Sequence, residues 1–264
     1  MQWWCSATGR PWTWTWQWYP GVDLMVLVVL GIWLTLGWTQ HWPHRPWRWF
    51  LPGWLGLWAA LDWPIGKLAA GYLASAHTLE FLLLTLLAGP ALLKSVPADG
   101  WLRIGLRGTW RHGLLRTLAG PLAGLLIYDV LVIATHFPLV VDNAMTSQLG
   151  SLALDLSWLV AGMALWWPIV APPEFHRLGT WGMIGYLFVA TIAPTVPAMM
   201  MVFSDWPLYR LYEMAPRVSM SLTANNDIQL AGLVMKIIGD IPMWIVMLIL
   251  FFRGTEAERE LVDA

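Results

Sequence analysis

Apolar residues run along this chain in stretches of fifteen residues or more, with neither the alternation of a half-solvated strand nor the stripe of a half-exposed helix. A helix advances about 1.5 Å per residue, so about 20 mainly apolar residues cross the hydrocarbon of a bilayer. Seven stretches qualify or nearly do: 22–39, 50–64, 68–93, 114–136, 149–170, 181–203 and 228–252, the second being the shortest. Ten-residue alternating segments, the mark of a membrane barrel, are missing, and backbone groups in lipid must be satisfied internally. The pattern therefore predicts an all-α polytopic membrane protein, a seven-transmembrane-helix bundle over residues 22–252. A Trp-rich segment, 1–21, precedes it and a short tail, 253–264, follows. Because that Trp-rich stretch comes before the first run and no small-residue cleavage site comes after it, the run reads as a retained span rather than a signal peptide.

Composition agrees. Of 264 residues, 58% are hydrophobic and only 12% charged, about half the roughly 25% usual in soluble domains. A net charge of −1 gives no case for nucleic acid as a partner; membrane lipid is the partner that the composition does imply. The placement of charge is more informative. Arg10, Lys67, Arg210 and Arg217 fall on one side of the predicted bundle. Arg45, Arg48, Lys94, Arg103, Arg107, Arg111, Arg116, Arg177, Arg253 and Arg259 fall on the other, with Lys236 inside a span. Positive charge is retained in the cytoplasm during insertion, which predicts an extracytoplasmic N-terminus and a cytoplasmic C-terminus. The basic stretch Arg103 to Arg116, interspersed with Leu and Trp, reads as a segment lying on the cytoplasmic headgroups. His41 and His44, beside Pro43 and Pro46, read as a solvated turn, and His112 and His176 as interfacial residues. The 22 tryptophans gather at span ends, where indoles favour the headgroup layer. The alternation Trp12-Thr13-Trp14-Thr15-Trp16 puts its indoles on one side of an extended segment, which either lines a partner groove or lies on the outer leaflet. Cys5, the one cysteine, excludes an internal disulfide framework and a four-thiolate metal site.

Ionisable residues inside a bilayer are costly and mark paired or functional sites. With the orientation above, His77, Glu80, Asp129, His136, Asp155 and Lys236 all lie towards the outer side of their spans. Asp23, Asp62, Asp142 and Asp227 join them near span ends, and Asp240 sits somewhat deeper. His77 and Glu80 are three apart and share a helix face, as do Lys236 and Asp240, four apart. A buried lysine is kept charged most cheaply by a carboxylate, so Asp240, Asp155 and Glu80 are the candidate partners of Lys236. Alternatively, these groups bias a metal or proton site electrostatically. Methionine forms a second cluster: Met199, Met200 and Met201, with Met25, Met145, Met214, Met220 and Met235 on the same side. Soft thioethers suit Cu(I), and His77 or His136 supplies a plausible imidazole, although Met in a helix more often simply packs. No zinc, phosphate-loop or dinucleotide motif and no nucleophile constellation is present, so the sequence points away from an enzyme.

Several segments, in order, resemble one known family, the CtaG family of cytochrome c oxidase assembly factors. Ser75-Ala76-His77-Thr78-Leu79-Glu80-Phe81-Leu82-Leu83-Leu84 with Ala88-Gly89-Pro90-Ala91-Leu92-Leu93 is similar to the family's third helix, and Thr135-His136-Phe137-Pro138 to its His-x-Pro turn. Gly162-Met163-Ala164-Leu165-Trp166-Trp167-Pro168 resembles the end of the fifth helix. Asn226-Asp227-Ile228-Gln229-Leu230-Ala231-Gly232-Leu233-Val234-Met235 resembles the start of the seventh. The resemblance covers most of the chain, from Tyr19-Pro20-Gly21 to the last helix. It implies a seven-helix bacterial membrane protein that is not a catalyst and that delivers copper to a haem-copper oxidase on the periplasmic side. It also implies a second histidine four residues after His77, where this chain has Phe81. Another histidine is implied about seven residues before Gly162, where Asp155 stands, and a Trp where Lys236 stands. Those substitutions raise an alternative: a structural or accessory subunit of a respiratory or other membrane metalloenzyme complex, with an ion-pair network in place of copper. A transporter is a weaker third reading, since hydropathy shows no inverted repeat.

Overall fold

Every predicted apolar run contains a helix in the computed structural model, which describes residues 2–42, 46–175 and 178–263. His44, Arg45, His176 and Arg177 lie outside those residues. The main helices are α1 (Pro20–Thr39), α2 (Trp47–Leu61), α3 (Ala74–Lys94), α4 (Pro121–Thr135), α5 (Gln148–Val170), α6 (Thr180–Val202) and α7 (Ala224–Glu256). Among the described residues there is no β-strand. Five of these helices, α1, α3, α5, α6 and α7, are long and apolar enough to cross a membrane, and a sixth span results if α4 is joined to the helix before it. The remaining one, α2, has 15 residues. Large apolar side chains cover the outside, among them Leu27 and Ile32 of α1, Leu122 and Val130 of α4, and Ile241, Trp244 and Leu248 of α7. This outward apolar coat is what lipid as solvent requires.

Three spans depart from the continuous helices that hydropathy predicts. The third does not begin at residue 68: a short helix, Ile65–Gly71, ends at Tyr72, and α3 starts afresh at Ala74. Its first amide groups are capped from another helix, since Asp227 of α7 accepts from the Ala74 N–H at 2.6 Å and from the Ser75 N–H at 3.3 Å. The fourth is not straight over 114–136. The helix Trp110–Leu118 meets α4 at 72°, with Gly120 and Pro121 at the corner, and none of its residues is buried. The sixth is interrupted between Ala190 and Thr195. Hydropathy averages over such breaks because the broken backbone remains apolar in its side chains.

Two long helices also widen locally. Leu83–Ala88 within α3 and Val234–Ile238 within α7 are π-helical turns, a form that recurs at functional sites. The Thr85 carbonyl, inside the first, accepts from the Trp166 indole at 3.2 Å. Here α3 and α5 approach closely: a Cβ added at Gly162 would lie 2.6 Å from the Thr85 backbone, and one at Gly89 would lie 3.0 Å from Gly162.

The bundle has two unlike ends. At one end lie residues 2–19 with the helix Ile65–Gly71, the turn after α4 and the segment before α7. They are joined by Ala7 N–H to Met145 O at 2.9 Å, Tyr212 Oη to Ala69 O at 2.6 Å and Tyr209 Oη to His136 O at 2.9 Å. At the other end lie Arg48, Lys94, Arg103, Arg107, Arg111, Arg116 and Arg253, with Lys94 over the Trp49 ring at 4.2 Å.

Candidate functional site

His77 and Phe81, four apart on one face of α3, meet His136 at the C-terminal end of α4 and Trp158 in the middle of α5. The two imidazoles are buried, with ring centroids 6.1 Å apart and planes at 71°. Trp158 lies 4.7 Å from His77 and 6.0 Å from His136; Phe81 lies 4.8 Å from His136, and Tyr212 lies 5.8 Å from His77. The polar atoms of these walls are engaged elsewhere: Trp158 Nε1 donates to Thr135 Oγ1 at 2.9 Å, and Tyr212 Oη donates to Ala69 O. The result is a box of aromatic rings around two buried histidines.

The histidines themselves are not satisfied. His136 Nδ1 lies 2.8 Å from the Val132 carbonyl, an acceptor, so Nδ1 carries the proton and Nε2 keeps its lone pair. That Nε2 is buried without a partner, as are both ring nitrogens of His77. Buried polar atoms are normally paired, and an exception calls for a physical explanation such as a role in binding a ligand.

Two carboxylates continue the site. Glu80, on α3, and Asp155, on α5, are buried and near enough to interact electrostatically. Asp155 Oδ2 accepts from the Trp4 indole at 2.7 Å, whereas Asp155 Oδ1 and Glu80 Oε2 have no partner. Trp4 belongs to the N-terminal segment, which is inserted into the end of the bundle. The Trp3 and Trp4 amides both donate to Gln148 Oε1, at 2.6 and 3.1 Å, and the Gly21 amide donates to Trp3 O at 2.8 Å. Cys5 is buried beside Leu61, its Sγ 3.3 Å from that carbonyl. Burial, reinforced by Glu80 and Asp155, holds its thiol well above the ordinary range. The Trp-rich segment thus divides in two. Residues 4–6 are buried, whereas Trp14, Trp16 and Trp18 are exposed.

The other predicted polar residues occupy separate stations. Lys236 pairs with Asp240 at 2.8 Å, and its ammonium also reaches into the break of α6, donating to Thr195 Oγ1 at 2.7 Å and Thr191 O at 3.3 Å. Of the three carboxylates that sequence offers it, the neighbour on its own helix is the one used. Asp227 caps α3. Asp142 accepts from the Arg210 and Leu211 amides, and Asp23 from the Trp18 indole. Asp129 is half-buried on α4, with Oδ1 unpaired. The methionine triplet spreads around its helix: Met201 is buried, Met200 is 45% exposed and Met199 lies between. Successive helical residues point about 100° apart, so the three do not share one face. Met214 and Met220 are exposed, and Met145 and Met235 are buried.

Among the described residues, no group of three or more His, Cys, Asp or Glu side chains is arranged to hold a metal ion. The box offers two nitrogen donors. Its chemistry, imidazole nitrogen in an apolar aromatic surrounding, fits a metal of low coordination number such as Cu(I), and does not fit the four-ligand geometry of structural zinc. Sequence reasoning misses Trp158, Trp4 and Tyr212. Trp158 has a signal of its own, since it lies in mid-span, where an interfacial-anchor explanation fails.

An all-helical chain coated for lipid, with a histidine pair enclosed near one end of its bundle, defines a polytopic membrane protein with a buried donor site. The family model described as cytochrome c oxidase caa3 assembly factor (Caa3_CtaG) matches residues 26–256, and the chain belongs to that family. No curated protein and no solved structure matches it.

Proposed function

We propose that this protein handles Cu(I) as cargo at the His77–His136 pair and delivers it to a haem-copper oxidase during assembly. It does so without catalysis, on the periplasmic side of a bacterial cytoplasmic membrane that it spans seven times. The observation that carries this reading is the pair itself: two buried imidazoles facing one box, with three ring nitrogens unpartnered. Imidazole binds Cu(I) through a ring-nitrogen lone pair, and the buried His136 Nε2 has one without a partner. The His136 proton is fixed on Nδ1 by Val132, a backbone contact of the kind that orients metal-binding histidines. The gathering of Lys and Arg at the opposite end supports placing the box towards the periplasm, with the N-terminus outside and the C-terminus inside. Anaerobic titration of purified protein against a competing Cu(I) chelator tests the reading. The expected result is about one tightly bound Cu(I) per chain, lost in His77→Ala and in His136→Ala. Wild-type protein that leaves the chelator fully loaded overturns it.

One feature favours a second reading. Phe81 lies against His136 where the resemblance calls for another histidine, and Asp155, in place of a further one, is held by Trp4. A bundle closed in this way suits an accessory subunit without copper. It would co-purify with the subunits of its complex in mild detergent, free of metal.

A further inference from the structure

The N-terminal segment covers more than Asp155. Residues 8–19 run across the short helix Ile65–Gly71, tied by Tyr72 Oη to Arg10 O at 2.9 Å and by Trp12 against the Tyr72 ring at 5.1 Å. Between them lies a cavity of about 740 Å³, lined by Gln2, Arg10, Thr13, Gln17, Lys67 and Tyr72 among others. Arg10, Thr13 and Gln17 form an exposed rim, while Lys67 sits on the floor at 2% exposure.

Lys67 is a buried cation without a counter-ion. Its ammonium donates to Gln2 Oε1 at 3.1 Å and to Ser6 O at 3.0 Å, both neutral, and stands 5.8 Å from the centre of the Tyr72 ring. An ammonium has three donors, so one is left over. The Arg10 guanidinium donates no hydrogen bond among the described residues and lies near enough to repel Lys67. Burial holds the Lys67 ammonium below its ordinary range; Cys5 opposes this, and the Arg10 repulsion adds a smaller push in the same direction as burial. Among the described residues no carboxylate reaches ion-pair distance of either cation; the ion pair present is Lys236–Asp240. Burying a charge unpaired is costly, and two cations facing one cavity raise that cost. An anion in the cavity would lower it. The rim also carries Trp18, with Trp14 and Trp16 exposed nearby, and indoles of this kind settle at headgroup depth.

We propose that this cavity binds a phosphate-class oxyanion, with Lys67 at its base and Arg10 at its mouth, supplied by an anionic phospholipid headgroup or by free phosphate. The site does not rest on the copper reading, and it lies in residues 2–19 and 65–72, apart from the histidine box. Arg10 is the side chain to vary first, because it is exposed and its loss leaves the fold intact.

Full-length protein is reconstituted in nanodiscs of phosphatidylcholine, with or without phosphatidylglycerol, and separately titrated with inorganic phosphate in pure phosphatidylcholine. Thermal stability and native mass spectrometry read the binding. Wild type should be stabilised by one of the two probes, and phosphatidylglycerol should be retained over phosphatidylcholine if the headgroup is the source. A response to phosphate alone identifies the free ion. Arg10→Gln should weaken the response about tenfold, the loss expected for one charge-assisted contact, and Lys67→Met should abolish it. Arg111→Gln, at the opposite end, should leave it unchanged and so exclude a general effect of basic residues. Wild type indifferent to both probes, or Arg10→Gln responding like wild type, overturns the proposal.

Discussion

His77 and His136 show how a single hydrogen bond sets what a residue can do. The Val132 carbonyl fixes the His136 proton on Nδ1 and leaves Nε2 turned to the box, while His77 has no such partner. Both residues are legible in the sequence as intramembrane histidines on successive long spans. Their facing is not, because it depends on how α3 and α4 are rotated against Trp158. Asp227 carries the same lesson in reverse. Its sequence position suggests membership of a polar network, yet its carboxylate caps the amides of Ala74 and Ser75 on a helix about 150 residues earlier. A cap supplied by the same helix is visible in sequence as a motif, but one supplied from elsewhere in the chain is not. Asp227→Ala should therefore cost about 0.5–2 kcal/mol, seen as a lower unfolding midpoint in detergent. Asp227→Asn, which keeps an acceptor oxygen, should recover most of it. Equal losses in the two variants would show that charge rather than capping is at stake.

Breaks and close approaches decide the behaviour of the helices. The break in α6 leaves backbone acceptors without the helical partners that lipid requires, and Lys236 of α7 supplies a donor there while bound to Asp240. In Lys236→Met the carboxylate and the Thr191 carbonyl both lose that donor. The cost should be about 1–3 kcal/mol, moderate because the pair is partly exposed. The double variant Lys236→Met, Asp240→Leu should regain stability relative to the single one, measured as a double-mutant cycle of denaturation midpoints. At the α3–α5 crossing, Gly162→Ala would drive a methyl to 2.6 Å from Thr85 backbone atoms. Overpacking of this kind costs about 1–3 kcal/mol, and a hydroxyl or methyl there should lower the midpoint whichever detergent is used. The number and rough limits of the helices follow from hydropathy. The fresh start at Ala74, the 72° corner before α4 and the first π-helical turn do not, because each goes with a tertiary partner: Asp227, the packing around Pro121, and Trp166 at Thr85.

At the scale of the whole molecule, the N-terminal segment closes the end of the bundle nearest the histidine box. Trp4 holds Asp155, Gln148 holds the amides of Trp3 and Trp4, and Cys5 lies buried behind them. Only the thiolate reacts readily with maleimide. A thiol that is buried, with its ionisation pushed well above neutral pH by that burial and by Glu80 and Asp155, should label very slowly in folded protein at pH 7.5. Trp4→Phe keeps the ring and removes the N–H donor to Asp155. It should raise the labelling rate about tenfold by favouring local release of the segment. Rapid labelling of the wild type would show that the segment is not seated. This closure is the part of the molecule least legible from sequence, where the tryptophans read as membrane anchors, which describes Trp14, Trp16 and Trp18 but not Trp4.

The seated N-terminal segment has a temporal consequence. Its holding residues, Met145, Gln148 and Asp155, follow far later in the chain, so this segment is made well before the residues that seat it. Until α5 is in place, the mouth of the bundle stands open, and the enclosure is sealed only once Gln148 and Asp155 are there to hold it.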